Sequence, residues 1–398
     1  MKGVTSRELR SSAINAKTAA NLHVYPAPIV NAGRILKETE SIVDAGLFDE
    51  VVVCGTASPE LPSIEIIDAK RRIERVGRPE KQRPRNVVAR ILSQIAWSVA
   101  VYRRYSRSNV TLVNAHSVAV LPVCYLLSRR LGARLVYDTH ELETETIASR
   151  GAQGKIFKTI ERSLIGRCDL VFVVNESIAR WYADAYPGLT PIAVRNIPVI
   201  HGTAAVPSLR DTLGIPSSAL LFIHVGHITA GRNVEAILDA FASESETNHV
   251  VFLGAGVLGP LVDSFAESHA NIHHVGAVAS NEVVAYAATA DVGLCLIQPS
   301  CLSYKYSLPN KAMEYTFAGV PFLYTDLPEV SAMLGTLQES WMVPNVETDL
   351  PDAIASVSPE RIMAARAAIA ALRIPTWHDE AAGMISAYES LLESRTRS

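Results

Sequence analysis

Residues 291–326 have the sequence DVGLCLIQPSCLSYKYSLPNKAMEYTFAGVPFLYTD, and this stretch decides the fold. The apolar run Val292–Ile297 has the length of a strand and predicts one that is buried on both faces. A helix is predicted from about Asn310 to Ala318, because Pro309 suits its first turn and Gly319 ends it. A helix that starts at the C-terminal edge of a parallel sheet is an anion site, since its free N–H groups and its dipole favour negative charge.

One carboxylate lies inside this predicted helix. Glu314 is one turn from the helix start, where it would repel a phosphate group. A carboxylate at that place is well suited to accept two hydroxyl hydrogen bonds, as from a ribose. The pattern therefore predicts a site for a nucleotide rather than for a simple anion.

The segment LPNKAMEYTFAGVP, residues 308–321, resembles the donor-site signature of GT-B glycosyltransferases, in particular the retaining family 4. The resemblance implies that Glu314 binds the ribose of the nucleotide. Family members carry a further Glu eight positions earlier, which usually touches the transferred sugar. This chain has Tyr306 there. A subset of the family with the LPNK loop also lacks that Glu.

Composition limits the class of protein. A length of 398 residues allows two domains, and 48% hydrophobic with 19% charged residues is typical of a folded protein with buried sheets. A net charge of −3 argues against a nucleic-acid partner. The five cysteines form no Cys-x-x-Cys pair and are expected to be buried free thiols, as in a reducing cytosol. Neither a bilayer-spanning apolar run nor a secretory signal is evident, so we expect a cytoplasmic protein.

The chain begins with a Rossmann-like pattern of strand, loop, helix and strand. Leu22–Tyr25 and Val51–Gly55 are the predicted strands, and Arg34–Ala45 is the predicted helix. The loop between them contains one glycine, Gly33, and is no dinucleotide fingerprint. Gly33 fits a plain turn as well as a close approach to a ligand, and the resemblance places the corresponding loop in the cleft.

Two later strands of this half each end in a histidine. Thr111–His116 and Ala133–Glu141 are these segments, and side chains at the carboxyl ends of strands line the cleft of an open α/β sheet. One such histidine is more often structural, but two on successive units favour a site. The resemblance implies that His116 lies by the donor sugar and its phosphate, and that His140 and Glu141 act beside it, with Asp138 as an orienting group.

The segment from Lys70 to Arg107 contains twelve Lys or Arg residues and two Glu residues. Between the basic clusters, Val87–Tyr102 is an apolar and aromatic helical pattern. Such a segment can bind an anionic membrane surface, and it also fits a core-facing helix with solvated flanks. The resemblance favours the membrane, because many such enzymes use lipid-linked acceptors.

The second half repeats the architecture. Strand Ala219–Gly226 is followed by a loop and a helix, with a spacing that resembles the phosphate loop of the family. Gly226 allows backbone approach, and Arg232 supplies the cation for a diphosphate. His227 stands where the family has an Arg. Backbone groups near Val278 are implied to contact the base.

The sequence therefore predicts an α/β protein with the GT-B fold, in which two Rossmann-like domains face each other across a cleft. Residues 1–198 form the acceptor-side domain, residues 199–376 the donor domain, and helix 377–398 packs back on the first. The candidate catalytic residues are His116, His140, Glu141 and Arg232. The candidate donor-binding residues are Gly33, Gly226, His227, Arg232, Val278, Tyr306, Leu308, Asn310, Lys311 and Glu314.

The predicted reaction is retaining transfer of a sugar from a UDP- or GDP-linked donor to a glycan or lipid-linked hydroxyl, in bacterial surface polysaccharide or glycolipid assembly. No Asp-x-Asp pair is evident, so we expect no metal and no cofactor. We expect peripheral contact with the inner face of the cell membrane through residues 70–107. One alternative is a non-catalytic GT-B module that binds a sugar nucleotide or scaffolds assembly, which Tyr306 favours. Another is a sugar-nucleotide epimerase, for which no convincing set of carboxylates is present.

Overall fold

The computed structural model describes residues 19–30, 32–79, 87–149, 151–199, 205–243, 247–337 and 341–396. The polar sequence of residues 1–20 predicts a frayed N-terminus, and Gly202, Pro207 and Pro216 predict a domain linker at about 199–217; the first segment and the start of the second lie largely outside these residues. The strands are β1 Ala20–Val24, β2 Glu50–Thr56, β3 Ile64–Ile66, β4 Arg71–Val76, β5 Val110–Ala115, β6 Arg134–Asp138, β7 Leu170–Val173, β8 Ile192–Ala193, β9 Leu220–Val225, β10 Asn248–Leu253, β11 Ile272–Val275, β12 Val292–Cys295 and β13 Phe322–Tyr324.

Helices connect these strands. They are α1 Gly33–Asp44, α2 Val87–Tyr105, α3 Leu121–Leu131, α4 Ala152–Leu164, α5 Glu176–Ala185, α6 Leu209–Thr212, α7 Val234–Ser243, α8 Gly259–Ser268, α9 Val283–Ala287, α10 Leu302–Lys305, α11 Asn310–Phe317, α12 Pro328–Leu334, α13 Val346–Ala355, α14 Pro359–Ala371 and α15 Trp377–Thr396.

The strands form two sheets. The first has the order β3-β4-β2-β1-β5-β6-β7-β8, and the second has the order β11-β10-β9-β12-β13. All neighbours pair in parallel except β3 and β4. Near-continuous apolar runs form the central strands because helices cover both faces of a parallel sheet. We call the first sheet with its helices the N-terminal domain and the second the donor domain.

The last helix returns to the N-terminal domain. Trp377, Met384 and Tyr388 of α15 are buried in one hydrophobic cluster with residues of β2, β5, β6 and β7. The indole N–H of Trp377 donates to Ser41 Oγ at 3.1 Å, and Lys37 Nζ lies 4.4 Å from the centre of the indole ring. The C-terminal segment is therefore part of the structure of the N-terminal domain.

Part of the basic segment is a strand that the sequence did not indicate. Arg71–Val76 is β4, and its arginines form ion pairs. Arg72 pairs with Glu50 and Glu74, and Arg75 pairs with Glu65. Because their charges are paired with carboxylates, these arginines do not belong to the predicted membrane-binding surface. In the described parts of the chain, no helix is long and apolar enough to cross a membrane.

A second correction concerns the start of α5. The sequence predicts Ser177 as the cap of a helix over Ile178–Ala185, but Asn175 is the N-cap, because its Oδ1 accepts from Ile178 N at 2.9 Å. Ser177 lies in the first turn of the helix and its backbone N–H bonds elsewhere.

Candidate functional site

The two predicted histidines lie at the ends of neighbouring strands and contact each other. His116 follows β5 and His140 follows β6, and His116 Nδ1 is 3.0 Å from His140 Nε2. His116 is fully buried, and burial lowers its pKa to about 4 despite the nearby carboxylate of Asp138. His140 is partly exposed and lines the cleft, with the ring of Tyr25 stacked on it at 5.5 Å. The structure thus brings together the residues that the sequence selected.

A buried chain of polar side chains stands behind His116, and sequence reasoning missed it. Tyr388 of α15 donates to Asn114 Oδ1 at 2.8 Å, and Asn114 Nδ2 lies 3.2 Å from His23 Nε2. His23 Nδ1 is 2.7 Å from His116 Nε2. Because an amide nitrogen only donates, His23 carries its proton on Nδ1 and donates to His116. His116 then carries its own proton on Nδ1, toward Asp138 Oδ2 at 3.1 Å.

Asp138 is held by an arginine. Arg34 of α1 donates to both of its carboxylate oxygens, at 2.8 and 3.2 Å. Arg34 and the hydrogen bonds from His116 and His140 hold the pKa of Asp138 well below its usual range against the effect of burial. Arg34 also pairs with Glu38, whose pKa burial raises well above its ordinary value.

The ligand atoms of His116, Asp138 and His140 lie within 4.8 Å of one another, as a metal centre would need. The nitrogens are hydrogen-bonded within the cluster, and Arg34 compensates the charge of Asp138. The arrangement suits a hydrogen-bonded relay that orients His140 toward the cleft.

Residues from both domains form the cleft beside His140. Glu141 accepts a hydrogen bond from Ser303 Oγ of the donor domain at 3.0 Å, and Asn196 Nδ2 donates to Asn310 Oδ1 at 3.2 Å. The cavity between the domains has a volume of about 170 Å³. Its lining includes His140, Glu141, Arg195 and Asn196 from the N-terminal domain and Arg232, Leu308, Pro309 and Asn310 from the donor domain.

Arg232 is positioned by an aromatic ring. Its guanidinium carbon lies 4.8 Å from the centre of the Tyr304 ring. Nη1 of Arg232 is buried and has no hydrogen-bond partner among the described residues. A buried donor without a partner has a desolvation cost of about 1–3 kcal/mol, so the atom is well placed for an anionic ligand. Asn233, the next residue, has a positive φ of 54°, and its amide bonds to Leu296 O at 3.2 Å.

Two charged groups lie on the first turns of α11. Lys311 is buried with its Nζ 3.2 Å from Nε2 of His224, and burial lowers its pKa to about 8. Burial raises the pKa of Glu314 to about 7, against the attraction of Lys311. The Glu314 carboxylate makes no hydrogen bond with any residue in the described part of the chain. It is therefore available for a ligand.

The predicted glycines have open space around them. Gly226 follows β9 with a φ of 96°, and a Cβ there would meet nothing within 4 Å. Gly33 begins α1, and its Cβ would also meet nothing within 4 Å. His227 is exposed beyond Gly226, and Val278 follows β11, half-buried against the core of the donor domain.

Tyr306 does not fit the expected place of a sugar contact. Its side chain packs against the hydrophobic core of the N-terminal domain, and its carbonyl accepts from Asn175 Nδ2 at 2.7 Å. Leu308, two residues later, packs on the donor domain and lines the cleft. Tyr306 thus contacts the opposite domain.

The loop after β1 is held by an arginine that sequence reasoning assigned to a surface. Arg75 of β4, whose side chain is 2% exposed, donates to Pro28 O at 2.6 Å and to Ile29 O at 2.9 Å. Ile29 has a φ of 56°, a strained value for a β-branched residue. Gly55 is required beside it, since a Cβ there would lie 2.5 Å from Ala27 O.

Two family models match the chain. The model described as Glycosyltransferase Family 4 matches residues 45–201, and the model described as Glycosyl transferases group 1 matches residues 219–358. A curated relative from Bacillus subtilis (strain 168), named as a candidate teichuronic acid biosynthesis glycosyltransferase, TuaC, is 24% identical over 217 residues. The match covers 54% of this chain and 52% of that relative, so the chain spans about half the length of the relative.

Solved structures agree on the fold. Sucrose-phosphate synthase (tll1590) from Thermosynechococcus elongatus is 16% identical with a TM-score of 0.74, over 95% of this chain and 100% of that one. Anabaena Alr3699/HepE in complex with UDP-glucose is 13% identical with a TM-score of 0.66, over the same shares. The predicted α/β architecture with the GT-B fold is confirmed. The family models match both halves of the chain to glycosyltransferases, the second half to the group 1 glycosyltransferases.

Proposed function

We propose that this protein is a retaining, metal-independent glycosyltransferase that moves a sugar from a UDP- or GDP-linked donor to a glycan or lipid-linked hydroxyl. The observation that carries the proposal is a set of three charged groups in the donor domain, of which Arg232 and Glu314 have polar atoms without a partner among the described residues. Arg232 has a buried N–H without a partner, Lys311 lies at the start of α11, and the Glu314 carboxylate is unbonded among the described residues.

Each of these groups has a role in binding the donor. Arg232 and Lys311 stabilise the negative charge that grows on the leaving diphosphate, which is electrostatic preorganisation aimed at the transition state. Glu314 accepts hydrogen bonds from the two ribose hydroxyls. His227 and the backbone at Gly226 and Val278 remain candidate donor contacts.

On the other side of the cleft, His140 and Glu141 face the transferred sugar and the acceptor. Asp138 orients His140 and His116 by accepting from their ring nitrogens. The acceptor hydroxyl attacks the anomeric carbon on the face that the diphosphate leaves, and the leaving phosphate oxygen takes the hydroxyl proton. Atoms and charge balance in this step without a further base.

The relatives support the class of donor and the setting. HepE was solved with UDP-glucose, and TuaC is named for teichuronic acid biosynthesis. Both names fit a nucleotide-sugar donor and assembly of a bacterial surface polysaccharide. We place the protein in the same kind of pathway.

We also propose that α2 binds the anionic inner face of the cell membrane. Its exposed apolar side chains recur at helical spacing, with Val88 62% exposed, Leu92 61% and Ile95 54%. Trp97 points the other way and donates to Val76 O at 3.0 Å. Exposed Arg90, Arg103, Arg104 and Arg107 lie on or directly after the same helix. Apolar burial and charge attraction act together on such a surface.

The second candidate is a non-catalytic module that binds a sugar nucleotide. The contact of Tyr306 with the N-terminal domain favours it, because no carboxylate stands at that position to touch the transferred sugar. Slow hydrolysis of a nucleotide sugar, or transfer to any acceptor, would rule out this reading.

The decisive experiment is thermal unfolding against UDP, GDP, ADP, CMP and their sugars. A ligand at about 100 times its dissociation constant adds ~2.7 kcal/mol to the free energy of unfolding. We expect one nucleotide to shift the wild type and to lose its effect in Glu314→Ala and Arg232→Ala. The matched control is Glu267→Ala on the exposed face of α8, which should respond like the wild type. Absence of any shift in the wild type would contradict the proposal.

A further inference from the structure

The loop before α11 is held by the opposite domain. Tyr306 O accepts from Asn175 Nδ2 at 2.7 Å, and Ser303 Oγ donates to Glu141 at 3.0 Å. The side chains of Leu302 and Tyr306 pack against the hydrophobic core of the N-terminal domain. This loop therefore has its anchor points on the N-terminal domain, although it belongs to the donor domain by sequence.

The start of α5 provides one of these anchors and a second contact with the donor domain. Asn175 is fully buried and uses its two polar atoms in opposite directions: Oδ1 caps α5 and Nδ2 bonds to Tyr306. The N–H of Ser177 donates to Glu329 Oε1 of α12 at 2.8 Å. Glu329 is 8% exposed, and the positive end of the α5 dipole favours its charge.

The anchored residue is close in sequence to the donor-binding groups. Tyr306 precedes Asn310 by four residues, and α11, with Lys311 and Glu314, starts there. A segment this short transmits a displacement of Tyr306 to the start of α11. The position of the groups proposed to bind diphosphate and ribose is thus set from the N-terminal domain.

We propose that Asn175 and Glu329 are positioning residues that couple donor binding to contact between the two domains. Tyr306, where the family usually has a sugar-binding Glu, serves as the anchor of the donor loop. The inference rests on the proposed function for the class of ligand. Donor affinity then equals the intrinsic affinity multiplied by the fraction of molecules whose domains are in contact.

The test uses substitutions that preserve the helix cap. Asn175→Asp keeps the Oδ1 cap, removes the donor to Tyr306 and places a carboxylate against its carbonyl. Glu329→Gln keeps an acceptor for Ser177 and removes the charge. The matched control is Asn345→Asp, since Asn345 caps α13 through Glu347 N, within the donor domain alone.

Two measurements are made on the full chain: titration calorimetry with UDP-glucose and GDP-mannose, and the radius of gyration by X-ray scattering without ligand. In Asn175→Asp we expect about tenfold weaker binding of the nucleotide sugar that the wild type binds, and a larger radius of gyration. Glu329→Gln should show both changes to a smaller extent. Asn345→Asp should change neither the binding of the nucleotide sugar nor the radius of gyration.

The outcomes separate the two ideas. An unchanged radius of gyration in Asn175→Asp overturns the idea that Asn175 holds the two domains in contact, whatever the protein binds. A larger radius with unchanged affinity overturns the coupling. If the wild type binds neither nucleotide sugar, the proposed function fails with the coupling, and the radius of gyration still tests whether Asn175 holds the two domains in contact.

Discussion

Arg34 and Asp138 form a buried bidentate ion pair that connects α1 to the end of β6. Nη2 of Arg34 is 2.8 Å from Oδ1 of Asp138, and Nε is 3.2 Å from Oδ2. The same carboxylate lies 3.1 Å from His116 and 3.5 Å from His140. The orientation of the histidines in the cleft therefore depends on an arginine that lies one residue after Gly33 and does not face the cleft.

Removing this arginine should destabilise the fold in a way that depends on pH. The folded pKa of Asp138 is depressed, so its contribution to stability is present above the unfolded pKa of ~3.9 and is lost as pH falls through the lower folded value. In Arg34→Met the carboxylate is buried without compensation, which costs about 3–5 kcal/mol. Burial then raises the pKa of Asp138, so that at pH 5 the buried carboxyl can take up a proton. The loss of unfolding free energy in Arg34→Met should therefore be larger at pH 7 than at pH 5.

Urea unfolding of wild type and Arg34→Met at both pH values checks this expectation. Arg373→Met, on an exposed residue, is the control and should stay within ±0.5 kcal/mol of the wild type. Equal stability of Arg34→Met and wild type at pH 7 would contradict the role given to the pair.

Donor affinity should pass through a maximum between the pKa of Glu314, about 7, and that of Lys311, about 8. Below pH 7 the Glu314 carboxylate takes up a proton and loses acceptors for the ribose, and above pH 8 Lys311 loses the charge that we propose stabilises the diphosphate. Affinity should fall by at most about tenfold per pH unit on either side. Calorimetric titration with UDP-glucose or GDP-mannose from pH 6 to 9 measures this, because the phosphates of a nucleotide sugar do not titrate there.

The variant Glu314→Gln distinguishes the two limbs of that profile. The amide keeps the shape of the side chain and does not titrate, so the decline below pH 7 should disappear while the decline above pH 8 remains. A decline below pH 7 that persists in Glu314→Gln would assign it to another group.

Membrane binding through α2 should depend on its exposed apolar side chains. Leu92→Ser with Ile95→Ser removes two apolar side chains, and we expect at least tenfold weaker binding to vesicles with 30% phosphatidylglycerol, since burial of such a side chain contributes roughly 1.5–3 kcal/mol. Vesicle co-sedimentation at low and high salt measures it, and salt should weaken binding by the wild type. Met363→Ser on the exposed face of α14 is the control. Equal binding by both variants would show that α2 is not the contact.

Local patterns in the sequence predicted much of the fold. Pro309 and Gly319 bracket α11 as expected, and apolar runs predicted β9 and β12 to within about two residues at each end. The pattern failed at β4, because Arg71–Val76 has four charged residues and only two apolar ones and was taken for a basic surface. Its arginines find partners on Glu50, Glu65 and Glu74, which local sequence does not bring near.

The candidate site was likewise predicted only in part from the sequence. The sequence placed His116, His140 and Glu141 at the carboxyl ends of parallel strands, and the structure has them at one edge of the sheet for that reason, while their roles stay predictions. The sequence did not indicate the hydrogen-bonded chain of His23, Asn114 and Tyr388, because it joins β1, β5 and α15. Asn114 and Tyr388 are 274 residues apart in the sequence.

The sequence by itself determined the order of the strands and helices, the two-domain pattern and the residue types at the donor site, because these depend on local periodicity and on turn residues. The tertiary structure alone decided that Tyr306 faces the N-terminal domain, that Arg75 holds the loop after β1, and that Arg34 compensates Asp138. A buried polar group must find its partner wherever the packed chain places one, and that partner is set by contacts between distant segments rather than by neighbours in sequence.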